Sequence, residues 1–562
     1  MKTCKHEYGS SGELCTEEVW INSDYCILHT DFPRNRNSPD FNILTAEKNK
    51  EIQKKVTNKD FNFEGSRLFN LDFSRMKIMG DLNLRDADVK ENLLLSYLKV
   101  EGKSILQGIT VGETCDFQEA EFGGDAEFTQ AVIGGNANFN RAKINGNVHF
   151  DKAEIGGDAN FTRAIIRGDA DFSLTHINGG AYFPLARFNG DMNFLLAIID
   201  GILDFRVRID GKADFEKVKI GGDADFQEAE IAEGVYFTRS TITGNINLFM
   251  AKISKTAYFR GATLLGKANF EQTSFNCNVD FQEVKFGGDA NFEKMVTTGI
   301  SKFQWSIFSG YVYFSNSGFK GPVNFDETSF LTKGVFKGLR NFNASFEGAI
   351  LKNVAFRDCD LTNVRFKHVI FEHCGLSTSN WDDKIPEHRD LELTKKDKLD
   401  RYSISLSNFF KILWTPDLIK KANIAADSYN RIKKSLREEG DYLKAGKFYI
   451  NEMDLRREVY WNNNKLMWLF YSILSITTNY GESIRRLVIS YFGLITIFAV
   501  LYVGIYGYQV YNAIIYSALN SVAVIYSTGQ PTGLEFLIFV ENLGGTVLIA
   551  LFVYVFAMKM SR

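Results

Sequence analysis

Residues 126–150 read AEFTQAVIGGNANFNRAKINGNVHF and contain the repeat that decides the fold of this 562-residue chain. A large apolar residue recurs every eleven positions, as at Phe128 and Phe139, and a smaller residue stands two positions before it. The period begins at Phe73, slips by one residue at Phe215, and then resumes. A period this regular indicates a repeat architecture in which each unit buries its apolar face against its neighbours.

An eleven-residue period is typical of a right-handed helical coiled coil, which is the alternative to a β-solenoid. A second apolar residue follows each large one by five positions, as Ile133 follows Phe128, and a helix would place the two about 140° apart. Doubled glycines such as Gly134-Gly135 would cost a helix about 1 kcal/mol each, and the following Asn136 favours a turn. The pattern therefore predicts short strands with alternating inward side chains, joined at Gly-Asp or Gly-Asn turns.

The Ala-(Asp/Asn)-(Phe/Leu)-x-x pattern resembles the pentapeptide-repeat family over roughly residues 63–375. The resemblance implies a right-handed β-helix of quadrilateral cross-section, with four five-residue faces per coil. This chain alternates spacings of five and six, so two units form a 22-residue coil with one inserted residue on alternate faces. About 14 coils at the strand spacing of ~4.8 Å would form a rod of about 65 Å. We assign residues 60–375 to this solenoid.

Composition argues against several classes of function. The 65 Lys and Arg residues nearly balance 68 Asp and Glu residues, which disfavours a nucleic-acid partner. Basic residues at outward positions, such as Arg141 and Lys143, also disfavour mimicry of DNA by an acidic rod. The string Gly-Gly-Asp-Ala-Asp at 221–225 is similar to calcium-binding nonapeptide repeats, but the eleven-residue period favours turn chemistry. No nucleophile, acid-base pair or open metal site is evident, so we expect no enzymatic activity.

The N-terminal residues 1–40 contain a cluster of candidate metal ligands: Cys4, Cys15, Cys26 and His29. Three thiolates and one imidazole complete a tetrahedral shell for zinc, and Cys-x2-His places the last two on one tight loop. So few apolar residues lie here that a structural zinc ion would supply the folding energy of a zinc-knuckle-like module. The alternatives are three unrelated free thiols and a competing ligand, His6. The low cysteine count and the lack of a secretory signal predict a reducing compartment.

Residues 376–462 are predicted to form a charged linker followed by a helical hairpin. Gly440 suits a left-handed helix stop, and Asp441 is placed to cap the second helix. The run at 439–449 resembles a hairpin of the tetratricopeptide type. A single hairpin is too short to form a peptide groove, so we expect it to connect the solenoid to the membrane region.

Two apolar runs, 487–506 and 536–558, are long enough to cross a hydrocarbon core of ~30 Å as helices. Basic residues precede the first run and follow the second, which predicts that both outer ends are cytoplasmic. The apolar stretch at 466–476 is too short to span, so we expect residues 463–484 to include a helix along the inner interface. The sequence thus predicts a multi-pass protein of the cell (plasma) membrane, with the N-terminal solenoid and the C-terminus in the cytoplasm.

Residues 485–562 resemble the two-span pore module of potassium channels, which some prokaryotic members join to pentapeptide repeats. A helix-length stretch at 513–526 precedes a glycine-containing segment, and this order is the plan of a re-entrant pore loop. The resemblance implies four copies around one axis. The positions comparable with the filter Thr-Val-Gly-Tyr-Gly lack the second Tyr-Gly step, which weakens the grounds for potassium selectivity. They are Ser527, Thr528, Gly529 and Gln530.

Glu541 is the one acidic residue within the two predicted spans, and an intramembrane acid is a candidate functional residue. It would lie behind the filter, face the pore, or bond a hydroxyl such as Ser521. We expect a tetrameric channel for a permeant monovalent ion, whose solenoid serves in sensing, in docking a protein partner or in assembly. The alternative is a non-conducting scaffold anchored in the lipid membrane, for which no re-entrant segment is needed.

The predicted fold class is therefore mixed. It combines a long right-handed β-solenoid of 22-residue coils, a helical linker, and a C-terminal two-span α-helical pore domain with a re-entrant loop.

Overall fold

The computed structural model describes residues 2–9, 12–21, 23–401, 415–522 and 534–560. The chain divides into two compact units, Met1–Asp360 and Leu361–Arg562. The candidate filter residues Ser527, Thr528, Gly529 and Gln530 lie outside the described residues.

Most of the first unit is a parallel β-solenoid in which each of the first 12 coils contributes four short strands. The first coil contributes Arg67–Leu68, Leu71–Asp72, Lys77–Ile78 and Leu82–Asn83, and the second contributes Asp88–Val89, Leu93–Leu94, Lys99–Val100 and Ser104–Ile105. Each strand pairs in parallel with its counterpart on the next coil, as Leu68 pairs with Val89. Four sheets therefore run along the solenoid, and we number them in the order in which the chain meets them.

The four sheets extend to nearly the end of the first unit. Within it the last strands of the first to fourth sheets are Ile350–Lys352, Val354–Arg357, Gly318–Phe319 and Asn343–Ser345. The second sheet contains 14 strands, one from each coil. The long solenoid of about 14 coils is thus confirmed, and its first 12 coils each contribute a strand to all four sheets.

The inward positions of the repeat form one continuous core. Phe128 stacks on Phe150 in the next coil, with ring centroids 4.5 Å apart and planes inclined by 2°. Phe139, from the opposite side of the coil, meets Phe150 edge to face at 5.6 Å. The two smaller inward residues, Ala126 and Ile133, are no more than 1% exposed. These contacts explain the eleven-residue period, since every half coil must supply one large apolar side chain to the same column.

Two kinds of corner join the strands. Gln130, two residues after Phe128, has a positive φ of 57°, and the Ala131 amide donates to the Phe128 carbonyl oxygen at 3.0 Å. At the glycine corner, a Cβ on Gly134 would lie 2.2 Å from the Gly112 carbonyl oxygen of the preceding coil. A side chain at position 134 would therefore meet the backbone of the preceding coil.

The acidic and amide side chains beside the glycines serve the same corners. Asn136 Oδ1 accepts from the Asp158 amide at 2.8 Å, and Asp158 Oδ1 accepts from the Gly180 amide at 2.8 Å. Side-chain oxygens thus bond the backbone of the next coil. This ladder supports turn chemistry, rather than calcium binding, as the reason for these residues.

The slip before Phe215 is a shortened corner. No residue between Phe205 and Phe215 has a positive φ, whereas Leu196 and Lys217 occupy that conformation on either side. Val207 is 4% exposed and provides the inward side chain of the shortened corner. One turn residue has therefore been removed without loss of the core.

Helix α1 (Pro39–Thr57) precedes the first coil and was not predicted from the sequence. Ser38 caps it, accepting from the Phe41 amide at 3.2 Å. The Phe41 ring lies 5.1 Å from that of Phe69, edge to face. The helix thus packs its apolar side against the start of the solenoid.

The second unit begins with two short strands and continues as helices. The strands are Asn363–Arg365 and Ile370–Glu372. The helices are α2 (Pro386–Arg401), α3 (Pro416–Glu438), α4 (Tyr442–Asn463), α5 (Lys465–Thr478), α6 (Ile484–Tyr506), α7 (Val510–Ser521) and α8 (Leu534–Met560).

The α3–α4 pair is the predicted hairpin. Gly440 has a φ of 83°, and Asp441 accepts from the Lys444 amide at 3.0 Å, so the predicted stop and cap are present. A buried ion pair joins the two helices, with Lys433 Nζ and Glu452 Oε2 2.6 Å apart. The predicted linker also contains a helix, α2.

Among the described residues, two helices are long and apolar enough to cross a membrane, Ile484–Tyr506 and Leu534–Ala557. Both correspond to the predicted spans, and only 17% of each is buried within the chain. Helix α5, at the predicted interfacial segment, has Leu466 and Ile476 80% and 73% exposed. Its placement on a membrane surface stays a prediction.

Candidate metal centre and membrane helices

The four predicted zinc ligands come together at the start of the first unit. One ligand atom from each of Cys4, Cys15, Cys26 and His29 lies within 4.8 Å of all the others, and all four residues are buried. His29 Nδ1 lies 3.2 Å from Cys26 Sγ and 3.5 Å from Cys4 Sγ. A tetrahedral zinc site requires a sulfur-to-nitrogen separation of about 3.5 Å, so the arrangement has the dimensions of such a site.

Local backbone structure positions the ligands. Cys4 and Cys15 lie on facing segments, where the Cys4 amide donates to the Glu17 carbonyl oxygen at 2.9 Å. Cys26 and His29 share one turn, closed by the His29 amide donating to the Cys26 carbonyl oxygen at 3.1 Å. The thiols of Cys4 and Cys15 are therefore brought close to the loop that contains Cys26 and His29.

The imidazole of His29 is oriented as a ligand. Its Nε2 lies 2.9 Å from the Glu64 carbonyl oxygen, which can only accept, so Nε2 carries the proton and Nδ1 presents a lone pair to the thiols. Burial lowers the pKa of His29 to about 4, which keeps the ring neutral. Burial likewise raises the pKa of the Cys26 thiol to about 12, so a thiolate here needs a cation beside it.

Two neighbouring residues support the centre. Lys48 of α1 is 2% exposed, and its Nζ donates to the carbonyl oxygens of Leu28, Thr30 and Arg67 at 3.2, 2.7 and 2.6 Å. The ligand loop is thereby bonded to α1 and to the first strand. His6, the proposed competing ligand, stacks on the His29 ring at 3.9 Å. The sequence did not identify the role of Lys48.

The second candidate site is the contact of α6, α7 and α8. Helix α7 has 12 residues, about 18 Å, which is too short to cross a membrane. A small apolar core joins the helices and contains Phe498, Ala499, Tyr502, Ala513 and Leu534. A Cβ on Gly545 of α8 would lie 1.9 Å from the Ser521 carbonyl oxygen, so the end of α7 rests directly on α8.

Glu541 is the polar centre of this contact and is 0% exposed in the single chain. Its Oε2 accepts from the Tyr502 hydroxyl of α6 at 2.5 Å, and its Oε1 bonds the Ser517 hydroxyl of α7. The suggested partner, Ser521, instead lies 2.9 Å from the Tyr491 hydroxyl. One carboxylate thus bonds all three helices, through two residues that the sequence did not single out.

The remaining cysteines of the first unit, Cys115, Cys277 and Cys359, are buried in the solenoid. Burial raises the pKa of each of these thiols. They are therefore unreactive core residues rather than ligands or nucleophiles.

Two family profiles, both of pentapeptide repeats, match the solenoid. One matches residues 106–154, 150–198, 251–296 and 283–329, and the other matches residues 342–377. No curated protein matches the chain. Among solved structures, the crystal structure of HetL, a pentapeptide repeat protein involved in heterocyst differentiation regulation in the cyanobacterium Nostoc, is 13% identical. The match covers 58% of this chain and 95% of HetL, with a TM-score of 0.11.

Proposed function

We propose that this pentapeptide-repeat protein is a tetrameric ion channel whose pore is formed by α6, α7, α8 and the segment between α7 and α8. The solenoid serves on the cytoplasmic side of the cell membrane in sensing, in docking a protein partner or in assembly. The protein has no enzymatic role in this proposal.

The observation that supports the proposal is the packing of α7 against both candidate spans. A connector between two anchoring helices has no need to be helical, apolar and bonded to both of them. Here a buried carboxylate bonds α7 to α6 and α8, and Gly545 allows α7 to touch α8. Burial of polar side chains between apolar helices is expensive, and it is found where a membrane protein builds a functional site.

The exposed apolar side chains of α6 and α8 also agree with a pore made from several copies of the chain. Phe492 of α6 and Phe536 of α8 are 63% and 72% exposed in the single chain. Apolar side chains on these helices are stable only against lipid or against other copies. Around a four-fold axis, the segment that holds Ser527, Thr528, Gly529 and Gln530 would line the path of a monovalent ion.

Conduction is tested by reconstituting the purified chain in planar bilayers. We expect unitary currents in potassium or sodium salts, and we expect Gly529→Asp to abolish them or to change their amplitude. The matched control is Gly493→Ala in α6, where a Cβ meets nothing within 4 Å, so the current should be unchanged. Absence of current from folded wild-type protein would favour the alternative, a membrane-anchored scaffold.

We also propose that Cys4, Cys15, Cys26 and His29 bind a structural zinc ion. The distances, the neutral His29 ring and the Glu64 bond to its far nitrogen all favour a closed four-ligand site. Zinc would stabilise the thiolates and join the N-terminal segments to the first coil.

A further inference from the structure

We propose that the outer face of the fourth sheet carries a second metal site, in which His149, Asp151 and Asp171 bind a divalent transition-metal ion. One ligand atom from each residue, an imidazole nitrogen or a carboxylate oxygen, lies within 4.8 Å of the other two. All three side chains are half-buried on the solenoid surface. The site is distinct from the Cys4–His29 centre in both position and ligand chemistry.

The repeat geometry brings these ligands together. His149 pairs directly with Asp171 on the next coil, so the two side chains project side by side from adjacent strands. Asp151 follows His149 across the inward-facing Phe150, and therefore points to the same outer face. A cation held here would join two successive coils.

Hydrogen bonds orient both carboxylates and occupy only one oxygen of each. Asp151 Oδ1 accepts from the Thr129 hydroxyl at 2.7 Å. Asp171 Oδ1 accepts from the Ser173 amide at 2.9 Å and from Asn193 Nδ2 at 3.0 Å. The Oδ2 atoms are left for a ligand, and outer bonds of this type fix the orientation of metal-binding carboxylates.

The local charge also favours a cation. Glu127 faces His149 from the preceding coil, which places a third carboxylate next to the imidazole. Among the described residues, no Lys or Arg forms an ion pair with Glu127, Asp151 or Asp171. By contrast, Glu121 on the third sheet bonds both Lys99 and Lys143. Lys103 is near enough to Glu127 to interact with it electrostatically, but its ion pair is with Asp125, at 2.9 Å.

Manganese is the probe that separates this site from the thiol centre, because carboxylates suit Mn²⁺ and thiolates do not. Mn²⁺ is added to the full-length chain in detergent micelles, and the free ion is followed by its electron paramagnetic resonance signal. We expect binding, with a pulsed-resonance modulation from a coordinated imidazole nitrogen. His149→Gln should remove the modulation and weaken binding at least about tenfold, and Asp171→Asn should also weaken it.

Two control variants make the same chemical changes elsewhere on the solenoid. His176→Gln alters a histidine that bonds Asp200 at 3.0 Å, and Asp214→Asn alters an outward carboxylate further along the fourth sheet. Both should leave Mn²⁺ binding and the nitrogen modulation unchanged. Asparagine already occupies this column at Asn193, so Asp171→Asn should fold. No nitrogen modulation in the wild type, or modulation that persists in His149→Gln, would overturn the proposal.

Discussion

Replacement of Phe161 by alanine should unfold the solenoid locally. Phe161 is 0% exposed, and its ring stacks on Phe139 at 4.7 Å and on Phe183 at 5.2 Å. It also meets Phe172 edge to face at 5.4 Å. The substitution therefore leaves a cavity in the middle of the ring column.

The expected cost is about 4 kcal/mol, since removal of a buried phenylalanine side chain costs about 3–5 kcal/mol. Phe161→Leu should cost only about 1–2 kcal/mol because leucine fills the position and only the aromatic contacts are lost. The chain itself shows that leucine is accepted, since Leu248 occupies an equivalent inward position and is 1% exposed.

Amide hydrogen exchange on the full-length chain measures both costs. A loss of about 4 kcal/mol corresponds to roughly a thousandfold faster exchange, and about 1–2 kcal/mol to roughly tenfold. The acceleration should be confined to the coils around Ala159–Asn160 and Ala181–Tyr182, because each coil contacts only its neighbours. Leu185→Ala, at a side chain 66% exposed, is the control and should change little. Equal exchange in the alanine and leucine variants would refute the account of the core.

Three further predictions concern the metal centre and the second unit. Elemental analysis should find one zinc ion fewer per chain in Cys26→Ser than in the wild type or in Cys277→Ser, and the N-terminal residues of Cys26→Ser should become protease-sensitive. Burial lowers the pKa of His388 to about 4, below its value of 6.5 in the unfolded chain. The stability that the neutral His388 ring provides is therefore complete above pH 6.5, and it is lost as acid protonates the unfolded chain. Urea unfolding of the second unit should therefore lose about 2 kcal/mol between about pH 7 and about pH 5, and His388→Gln should remove that part of the loss. Glu541→Leu leaves the Tyr502 and Ser517 hydroxyls without their carboxylate and should destabilise the α6–α8 packing by about 1–3 kcal/mol in a thermal-aggregation assay, whereas Glu541→Gln should be tolerated.

The solenoid was predictable because its cause is local and repeated. Every half coil must supply a large apolar side chain to the same column, and this requirement appears in the sequence as the eleven-residue spacing of Phe128, Phe139 and Phe150. The left-handed corner at Gln130 could not be predicted from the sequence, because the side chain at this position points outward and its residue type varies from coil to coil. The sequence also showed that one residue is missing from the repeat before Phe215. Only the structure shows that the missing residue belongs to a single corner.

Features that depend on tertiary contacts were harder to predict. Helix α1 lacks a continuous apolar stripe, since Lys48 occupies a buried position and bonds three carbonyl oxygens. The sequence suggested a hydroxyl partner for Glu541, with Ser521 as the example. The position of each serine on α7 decides which hydroxyl reaches the carboxylate, and in the structure it is Ser517. The meeting of the four candidate metal ligands at the N-terminus was predictable, because their residue types together match a zinc shell.

The most direct test of the channel proposal is the accessibility of position 528 during conduction. Current through Thr528→Cys is recorded before and after a membrane-impermeant methanethiosulfonate reagent, with Phe492→Cys on α6 as the control. All seven native cysteines are buried, so the reagent reports the introduced thiol. We predict that the reagent blocks the current of Thr528→Cys and leaves that of Phe492→Cys unchanged. A modified Thr528→Cys protein with an undiminished current would show that the segment between α7 and α8 lies outside the ion path.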